Sequence, residues 1–517
     1  MRARSFRRAV VVPAVALTAI LAAPAASAGD PPFTDVPLMI TLLDPSTSEA
    51  TPLISVGDTL DDFFFEGIPD GIGAMPGDGD TVEVFVNHEQ TRIPFGGTAD
   101  FQMASVSHLT LASNGEPLEG SVAIPPTAGF QRFCSATMAG PAEGLDDYLF
   151  LTGEEAPEAI DVPAGAPFGP DPAYAPANTR QSGLVAVLDP VTGEFDDVPG
   201  MGRHNHENEM VLPGDWEQIA IYSGDDTFTP PAPASQLYLY LANDEQEIWN
   251  DEGTLWAFRV TDKNGHKVDA ADPFNDANDY SDFGIDDHLA GRFIRVPERI
   301  AKGLTAEEPQ TALERWSNEH NVFQFIRVED TAHDPNVGPG ENPVMYLTDT
   351  GSGGVVESAT TGQLVAGAGP FNRGRLVRFE FAHDNPRRVV DLSIVLDGNF
   401  SPNPFDPLTE GPAMRAPDNL GASTESLMVQ EDTTSQVSRV LRYDLDSGEW
   451  SVVARVNDQD WESSGIVDVS AFYGQGTWLL DVQAHDVRVG PEDTTTTPGV
   501  TYKREGGQLI LLSVDGS

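Results

Sequence analysis

Five segments of the chain repeat one pattern of hydrophobic and polar positions. Each begins with residues that alternate between apolar and polar, passes through a polar turn that usually contains Asn-Gly or Ser/Thr-Gly, and ends in a second alternating run. The segments are residues 108–124, 184–198, 255–270, 376–392 and 440–456. Alternation with a period of two is typical of half-buried strands, and such turns join antiparallel neighbours. The pattern predicts five β-hairpins.

A second pattern consists of short apolar runs that end directly in acidic residues. It occurs at residues 148–155 (YLFLTGEE), 218–226 (QIAIYSGDD), 344–349 (VMYLTD), 427–432 (LMVQED) and 478–481 (WLLD). An unbroken apolar run of this length is typical of a strand that is buried on both faces. Helical periodicity is weak, and residues 306–317 (AEEPQTALERWS) are among the few helix candidates. The sequence therefore predicts an all-β protein.

Buried strands that alternate with outer hairpins over most of the chain favour a β-propeller with long loops between strands. At roughly 40 to 50 residues per blade, the length predicts six blades in a single domain of residues 29–517. We expect residues 508–512 (QLILL) to pair with an N-terminal segment and close the ring. The acids at the ends of the inner strands would then gather at one end of that ring.

The N-terminus has the anatomy of a signal peptide. Residues 1–28 carry four arginines, an apolar run and the small residues Ala26-Ser27-Ala28. We expect cleavage after Ala28 and a secreted or extracytoplasmic protein, exported by either the Sec or the Tat route. Cys134 is the one cysteine of the chain, so in an exported protein it is either a buried core residue or a special thiol.

The net charge excludes two classes of partner. The chain carries −52 at neutral pH, and loss of the four arginines of residues 1–28, a segment without acids, takes the charge to −56. Such a surface repels nucleic acid and anionic lipid. Acid content of this kind suits either saline surroundings or the binding of hard cations through carboxylates.

Three short motifs carry candidate chemistry. They are residues 84–91 (VFVNHEQT), 202–209 (GRHNHENE) and 323–334 (FQFIRVEDTAHD). In an extended chain Arg327 and Glu329 share one face, and an arginine beside a carboxylate can bind a phosphate while the carboxylate holds a metal. Each motif taken alone is also compatible with a solvated acidic loop or a surface ion pair.

The motifs taken in order resemble the PhoX family of secreted bacterial alkaline phosphatases. They are VNHEQT at 86–91, Cys134, TGEE at 152–155, GRHNHE at 202–207, SGDD at 223–226, RVED at 327–330, and APDNL at 416–420 followed by MVQEDT. The family has a threonine-proline-tryptophan-glycine stretch after its cysteine, where this chain has SATMAGPAEG. The register before the Glu154-Glu155 pair is therefore open.

The resemblance implies a six-bladed phosphomonoesterase with a mixed iron and calcium cluster. By resemblance, Cys134 is an iron ligand, Arg327 binds the substrate phosphate, and Glu329 lies beside it as a further ligand. Glu154 or Glu155 and Glu207 are implied as further ligands beside Cys134 and Glu329. Calcium-binding or supporting roles are implied for Asn87, Glu89, Asp225 and Asp226. The expected partner is a phosphomonoester, without nucleic acid or a membrane anchor, and we expect a monomer.

Two other functions fit the same acids. One is a calcium-dependent propeller hydrolase of another kind, either phytase-like or a phosphodiesterase, which would not need Cys134. The other is a non-catalytic propeller in which calcium only links loops. The thiol separates them from the first interpretation, because a soft ligand indicates a transition metal in addition to calcium.

Overall fold

The computed structural model describes residues 33–90, 103–156, 160–161, 180–181, 183–227, 235–261, 279–305, 307–352, 355–357, 364–366, 373–399, 414–433, 436–493 and 502–515. The predicted signal peptide lies outside these ranges. Almost all regular structure in them is β-strand, as predicted.

Twenty-four of the 32 strands in the described ranges fall into six groups of four antiparallel strands. The first strands in the described ranges are β1 (Ile40–Leu42), β2 (Ser48–Ser55), β3 (Thr59–Leu60) and β4 (Phe63–Phe64). The first group is β5 (Pro69–Pro76), β6 (Val82–His88), β7 (Ser105–Leu111) and β8 (Pro117–Ile124). The second is β9 (Phe133–Ala139), β10 (Leu149–Glu154), β13 (Val185–Leu188) and β14 (Phe195–Asp197), with β11 (Ile160–Asp161) and β12 (Arg180–Gln181) as a separate pair.

The third and fourth groups are joined by one extra strand. The third is β15 (His206–Val211), β16 (Ile219–Asp225), β17 (Leu237–Ala242) and β18 (Thr254–Thr261). The fourth is β20 (Val328–His333), β21 (Val344–Asp349), β24 (Arg375–Ala382) and β25 (Asn385–Asp397), with β22 (Val355–Glu357) and β23 (Leu364–Ala366) as a separate pair. Strand β19 (Leu289–Arg295) pairs with both β18 and β25 and makes one nine-stranded sheet.

The N-terminal strands complete the last two groups. The fifth is β26 (Pro417–Ala422), β27 (Ser426–Glu431), β28 (Arg439–Asp444) and β29 (Trp450–Val456), and β1 adds to its outer edge. The sixth is β30 (Trp461–Asp468), β31 (Thr477–Asp493), β32 (Tyr502–Val514) and β2. Gln508 pairs with Ser55 in this sheet, so the predicted pairing of residues 508–512 with an N-terminal segment is confirmed.

The first strands of the six groups form a closed ring. In order, β5, β9, β15, β20, β26 and β30 contact one another, and β30 contacts β5. The approach is close, because a Cβ on Gly71 of β5 would lie 2.3 Å from the backbone nitrogen of Ala136 in β9. This arrangement is the predicted β-propeller. Residues 32–517 cluster as one compact unit.

The two sequence patterns correspond to different positions in a group. The apolar runs that end in acids are the second strands, such as β10 and β16, which are buried almost throughout. Four predicted hairpins are β7–β8, β13–β14, β24–β25 and β28–β29. In the hairpin predicted at residues 255–270, the first strand is β18, which pairs with β17 and β19. The rest of that segment lies outside the described residues.

Helices in the described ranges are short. They are α1 (Glu245–Trp249), α2 (Asp279–Asp282), α3 (Glu298–Ala301), α4 (Pro309–Glu319) and α5 (Ser470–Tyr473), with 3-10 turns at Pro126–Ala128 and Pro199–Met201. Helix α4 corresponds to the candidate at residues 306–317. It begins at Pro309, where the missing N–H of proline costs no intrahelical bond, and it buries Leu313 and Trp316.

Candidate active site at the ends of the inner strands

One position recurs at the start of every first strand. The second residue of each of these six strands is a metal-ligand type: Asp70, Cys134, Glu207, Glu329, Asp418 and Glu462. In the first five groups it is one of two residues that oppose a single residue of the second strand, which is the count of a β-bulge. Bulges redirect side chains, and they are common next to active sites. The propeller therefore aims six ligands at one end of the ring.

A second position recurs immediately after the second strands. In five groups the residue there donates its backbone N–H to the carbonyl two residues before the first-strand ligand, at 2.9 to 3.0 Å. These residues are Glu89, Glu155, Asp226, Thr350 and Asp432. The repeated hydrogen bond fixes both positions next to each other.

These two positions supply a continuous set of ligands. Their oxygen or sulfur atoms form four groups, within each of which all atoms lie within 4.8 Å of one another. The groups are Asp70–Glu89–Cys134, Cys134–Glu155–Glu207, Glu207–Glu329–Asp418 and Asp418–Asp432–Glu462. We call these eight carboxylates and one thiol the acid–thiol cluster. Because neighbouring groups share Cys134, Glu207 or Asp418, the cluster could hold several ions side by side.

The cluster is buried and carries more negative charge than its surroundings balance. Burial raises the pKa of Cys134 well above its ordinary value, and Asp70 and Glu207 raise it further. Burial also raises the pKa of Glu207 and Asp418, and neighbouring acids add to the effect. Within the described residues, one buried carboxylate oxygen of each of Asp70, Glu207 and Asp418 lacks a hydrogen-bond partner. Bound cations would satisfy both the charge and these oxygens.

Arg327 stands beside the cluster. Its Nε donates to Oδ1 of Asp226 at 2.9 Å, and its Nη2 donates to Oδ2 at 2.8 Å. The same Nη2 lies 3.1 Å from Oε1 of Glu329, and the arginine side chain is 25% exposed. Burial lowers the pKa of Arg327, but Asp226 and Glu329 outweigh burial and the net pKa lies above its ordinary value. Arg327 therefore presents a permanent positive charge at the edge of the cluster.

Most of the predicted site residues meet here. Glu89, Cys134, Glu155, Glu207 and Glu329 belong to the acid–thiol cluster. Asp226 adjoins it through Arg327, whereas Asn87 donates to the backbone carbonyl of Cys134 at 2.6 Å and supports the strand that carries the thiol.

Two predicted ligands do not join the cluster. Glu154 accepts backbone hydrogen bonds from Gln131 at 2.9 Å and Leu184 at 3.0 Å. Asp225 accepts a hydrogen bond from the Thr227 hydroxyl at 2.7 Å. Successive side chains of a strand point to opposite faces, so only one acid of each pair, Glu155 or Asp226, can face the site.

Two histidines of the candidate motifs, His88 and His206, form structural hydrogen bonds outside the acid–thiol cluster. His88 lies 2.7 Å from the Ser107 hydroxyl and 3.1 Å from the Gly67 carbonyl, and burial lowers its pKa to about 4. His206 is held between Glu209 and the Gly202 carbonyl. These side chains bind the ends of the strands together.

Sequence reasoning missed four members of the cluster. Asp70, Asp418, Asp432 and Glu462 were not predicted as ligands, although APDNL and MVQEDT contain two of them. Glu462 has a further neighbour, since its Oε2 lies 3.4 Å from Nε2 of His485, whose Nδ1 lies 2.8 Å from Glu505. Asp70, Asp418 and Glu462 share one signal, an acid at the second position of a strand of mixed sequence, whereas Asp432 follows directly after β27.

Comparison with known proteins gives a family. The family model for alkaline phosphatase PhoX matches residues 150–472, more than half of the chain. Among solved structures, the chain resembles Pseudomonas fluorescens PhoX in complex with vanadate, a transition state analogue, with a TM-score of 0.57 and 17% identity over 92% of this chain and 96% of that one. It also matches the periplasmic gluconolactonase PpgL of Pseudomonas aeruginosa, with a TM-score of 0.36 and 12% identity over 86% and 88%. No curated protein sequence matches.

The matched range contains most of the site. Arg327 and six members of the acid–thiol cluster lie inside it: Glu155, Glu207, Glu329, Asp418, Asp432 and Glu462. Asp70, Glu89 and Cys134 precede it. Since the family model spans more than half of the sequence and the solved relative shares the propeller fold, the chain belongs to the PhoX family of alkaline phosphatases.

Proposed function

We propose that this protein is a secreted, metal-dependent phosphomonoesterase and that its reaction takes place at the acid–thiol cluster. One observation carries the proposal: nine ligand side chains lie side by side at the ends of the inner strands, with Arg327 at their edge. A chain of net charge −52 repels a phosphate ester in general. A local reversal of charge is therefore needed wherever the ester is to bind.

The donor set supports calcium together with iron. Carboxylate oxygens are the ligands that calcium prefers, and eight of them are present. The thiol of Cys134 is a soft donor that favours a transition metal. Because Cys134 belongs to two of the four ligand groups, the cluster fits a hydrolase that uses calcium alone less well. When bound, such ions supply positive charge that polarises the phosphoryl oxygens.

The side chains of the protein perform the remaining tasks. Arg327 can donate to an oxygen of the phosphoryl group, and its positive charge becomes more valuable as negative charge builds in the transition state. Asp226 holds the guanidinium from behind through two hydrogen bonds. The vanadate complex of the Pseudomonas fluorescens relative supports a phosphoryl transfer reaction on this fold.

The further features of the proposal are location and partners. The signal-peptide pattern of residues 1–28 supports export. We propose that the protein acts as a monomer outside the cytoplasm and that its substrate there is a phosphomonoester. Among the described residues no helix is long and apolar enough to cross a bilayer.

Hydrolysis of p-nitrophenyl phosphate by the purified mature protein tests the proposal. We expect turnover that EGTA abolishes and added calcium restores, and we expect iron in elemental analysis of the active protein. Arg442→Gln serves as the control. Among the described residues, Arg442 forms its ion pair with Asp444 of the same strand, β28, away from the acid–thiol cluster. Full turnover by metal-stripped protein would overturn the proposal.

A further inference from the structure

A cluster of arginines lies on the outer side of the propeller. A cleft of about 950 Å³ lies along β19 and β25, and four arginines line it: Arg292, Arg295, Arg387 and Arg388. The whole sequence has only 29 basic residues against 81 acidic ones. Four arginines around one cleft therefore contrast with the acidic surface that the composition predicts.

The strand register brings three arginines into one row. Arg292 of β19 pairs directly with Arg259 of β18 on one side and with Arg388 of β25 on the other. Side chains that are directly opposite on neighbouring strands lie about 5 Å apart at Cβ, and like charges in such pairs are destabilising. Arg259 is buried and donates to the His320 carbonyl at 3.0 Å. Burial lowers the pKa of Arg259, and the charge of Arg292 lowers it further.

The acid in the lining of the cleft is already engaged. Asp391 has Oδ1 at 2.8 Å from Nδ1 of His288 and Oδ2 at 3.8 Å from Nη1 of Arg378. Arg292 and Arg388 are exposed and form no ion pair with any residue that the structure describes. The repulsion within the row is thus not offset by a carboxylate of the described protein.

Arg387 and Trp256 form one wall of the cleft. The Arg387 guanidinium carbon lies 4.7 Å from the centre of the Trp256 ring, and its Nε lies 3.5 Å from Oδ1 of Asn385. A cation–π contact of this kind fixes a guanidinium without neutralising it. Trp256 and Arg259 are three residues apart in β18, so their side chains point to opposite faces of the sheet. Arg387 therefore lies beside the row of Arg259, Arg292 and Arg388, and the positive charge that faces an anion comes from Arg292 and Arg388.

We propose that this arginine cleft is a second, non-catalytic binding site for a divalent tetrahedral oxyanion, namely phosphate or the phosphate group of a phosphomonoester. A dianion between Arg292 and Arg388 would turn an unfavourable cross-strand pair into two charge-assisted contacts, and the arginine fork matches the geometry of phosphate oxygens. The site lies on the outer strands β19 and β25, whereas the acid–thiol cluster lies on the inner strands. It does not depend on the proposed reaction, although it would retain product or substrate of that reaction near the enzyme.

Equilibrium dialysis of the metal-loaded protein against radiolabelled inorganic phosphate tests the proposal. We compare the wild type with R292Q/R388Q and with R315Q, a control in which an exposed arginine that pairs with Glu307 is changed. We expect the double variant to bind one phosphate fewer per chain and R315Q to bind as the wild type does. Turnover of p-nitrophenyl phosphate at low phosphate concentration should be unchanged in both variants.

A second arm distinguishes free phosphate from a phosphate group on a larger molecule. Phenylphosphonate, which cannot be hydrolysed at oxygen, should displace the cleft-bound phosphate if the site accepts esters, and should leave it in place if the cleft admits the inorganic ion alone. Either result supports an oxyanion site and shows whether the bound oxyanion is free phosphate alone or also a phosphate group on a larger molecule. Equal phosphate binding by the wild type and R292Q/R388Q would overturn the proposal.

Thermal unfolding gives an independent readout if the double variant is poorly folded. The single variant R388Q removes one charge of the row at an exposed position. In phosphate-free buffer we expect it to unfold at a higher temperature than the wild type, and phosphate should raise its midpoint less. A phosphate-dependent shift as large as that of the wild type would contradict the site. Failure of the proposed function would instead abolish turnover while this binding persisted.

Discussion

Asp226 holds the guanidinium of Arg327 through two hydrogen bonds, Nε to Oδ1 at 2.9 Å and Nη2 to Oδ2 at 2.8 Å. Arg327 has a φ of 61°, in the left-handed region that disfavours a residue with a side chain. Ile68, Arg132 and Ala416, which occupy the same place in their groups, also have positive φ. The left-handed residue is thus a repeated feature of the backbone just before the first strands. In the fourth group this residue is Arg327, which lies beside the acid–thiol cluster.

The first prediction is that Arg327→Ala loses about a hundredfold in kcat for p-nitrophenyl phosphate. A positioned donor to transition-state charge is worth roughly 3 kcal/mol. Circular dichroism should show an unchanged fold, and Arg442→Gln should retain full activity. A loss below about fivefold would mean that Arg327 is an ordinary ion-pair residue.

The second prediction concerns Asp226 as a positioning residue. Asp226→Asn keeps the size of the side chain but removes one acceptor and the charge that orients Arg327, so we expect about a tenfold lower kcat, or roughly 1.4 kcal/mol. In a double-mutant cycle, Asp226→Asn should add little on the background of Arg327→Ala, because both changes act through one guanidinium. Fully additive losses would show that Asp226 acts by another route.

The third prediction separates a metal ligand from a core thiol. Cys134→Ser replaces a soft donor with a hard one, so iron should be lost while most of the calcium is retained. Elemental analysis of wild type and variant, with phosphatase assays on the same samples, measures both effects. Iron that is undiminished in an active Cys134→Ser protein would return Cys134 to the role of a core residue.

The fourth prediction uses the Glu154–Glu155 pair, in which each residue is the control for the other. Glu155→Gln should lower metal content and activity, because Glu155 shares a group with Cys134 and Glu207. Glu154→Gln weakens acceptance from two backbone N–H groups, and it should lower the unfolding temperature while metal content stays near that of the wild type. If Glu154→Gln lowered metal content and Glu155→Gln lowered only the unfolding temperature, Glu154 would be the ligand and Glu155 the structural residue.

Part of this site is readable from the sequence because the second strands have a strong local signal. Each apolar run forms a strand that is buried on both faces, so the acids that directly follow such strands, for example Glu155 and Asp226, can be placed from local sequence alone. The choice between Glu154 and Glu155 then follows from strand alternation once the strand bounds are known.

The first strands could not be recognised in the same way. Strands such as Pro69–Pro76 and Pro417–Ala422 mix glycine, proline and polar residues, and they are strands because neighbouring groups pack against them. Asp70 lies near Cys134 only when the first two groups pack together, across 64 residues of sequence. The bulge that redirects these acids depends on strand pairing, which the hydrophobic pattern does not encode.

The last prediction concerns the pH dependence of stability through His333 at the end of β20. Burial lowers the pKa of His333 to about 4, from an ordinary value of 6.5, although Asp334 acts in the opposite direction. Between these two values the unfolded chain binds a proton that the folded protein does not, so stability is lost as the pH falls from about 6.5 towards 4. The largest possible effect on the free energy of unfolding is about 3 kcal/mol, and partial solvent contact reduces it.

Urea unfolding of His333→Gln tests this effect. We expect the variant to be as stable as the wild type at pH 7.5 and more stable than the wild type at pH 4.5. For the exposed control His383→Gln, the difference from the wild type should be the same at both pH values. An equal difference between His333→Gln and the wild type at both pH values would contradict a buried neutral histidine.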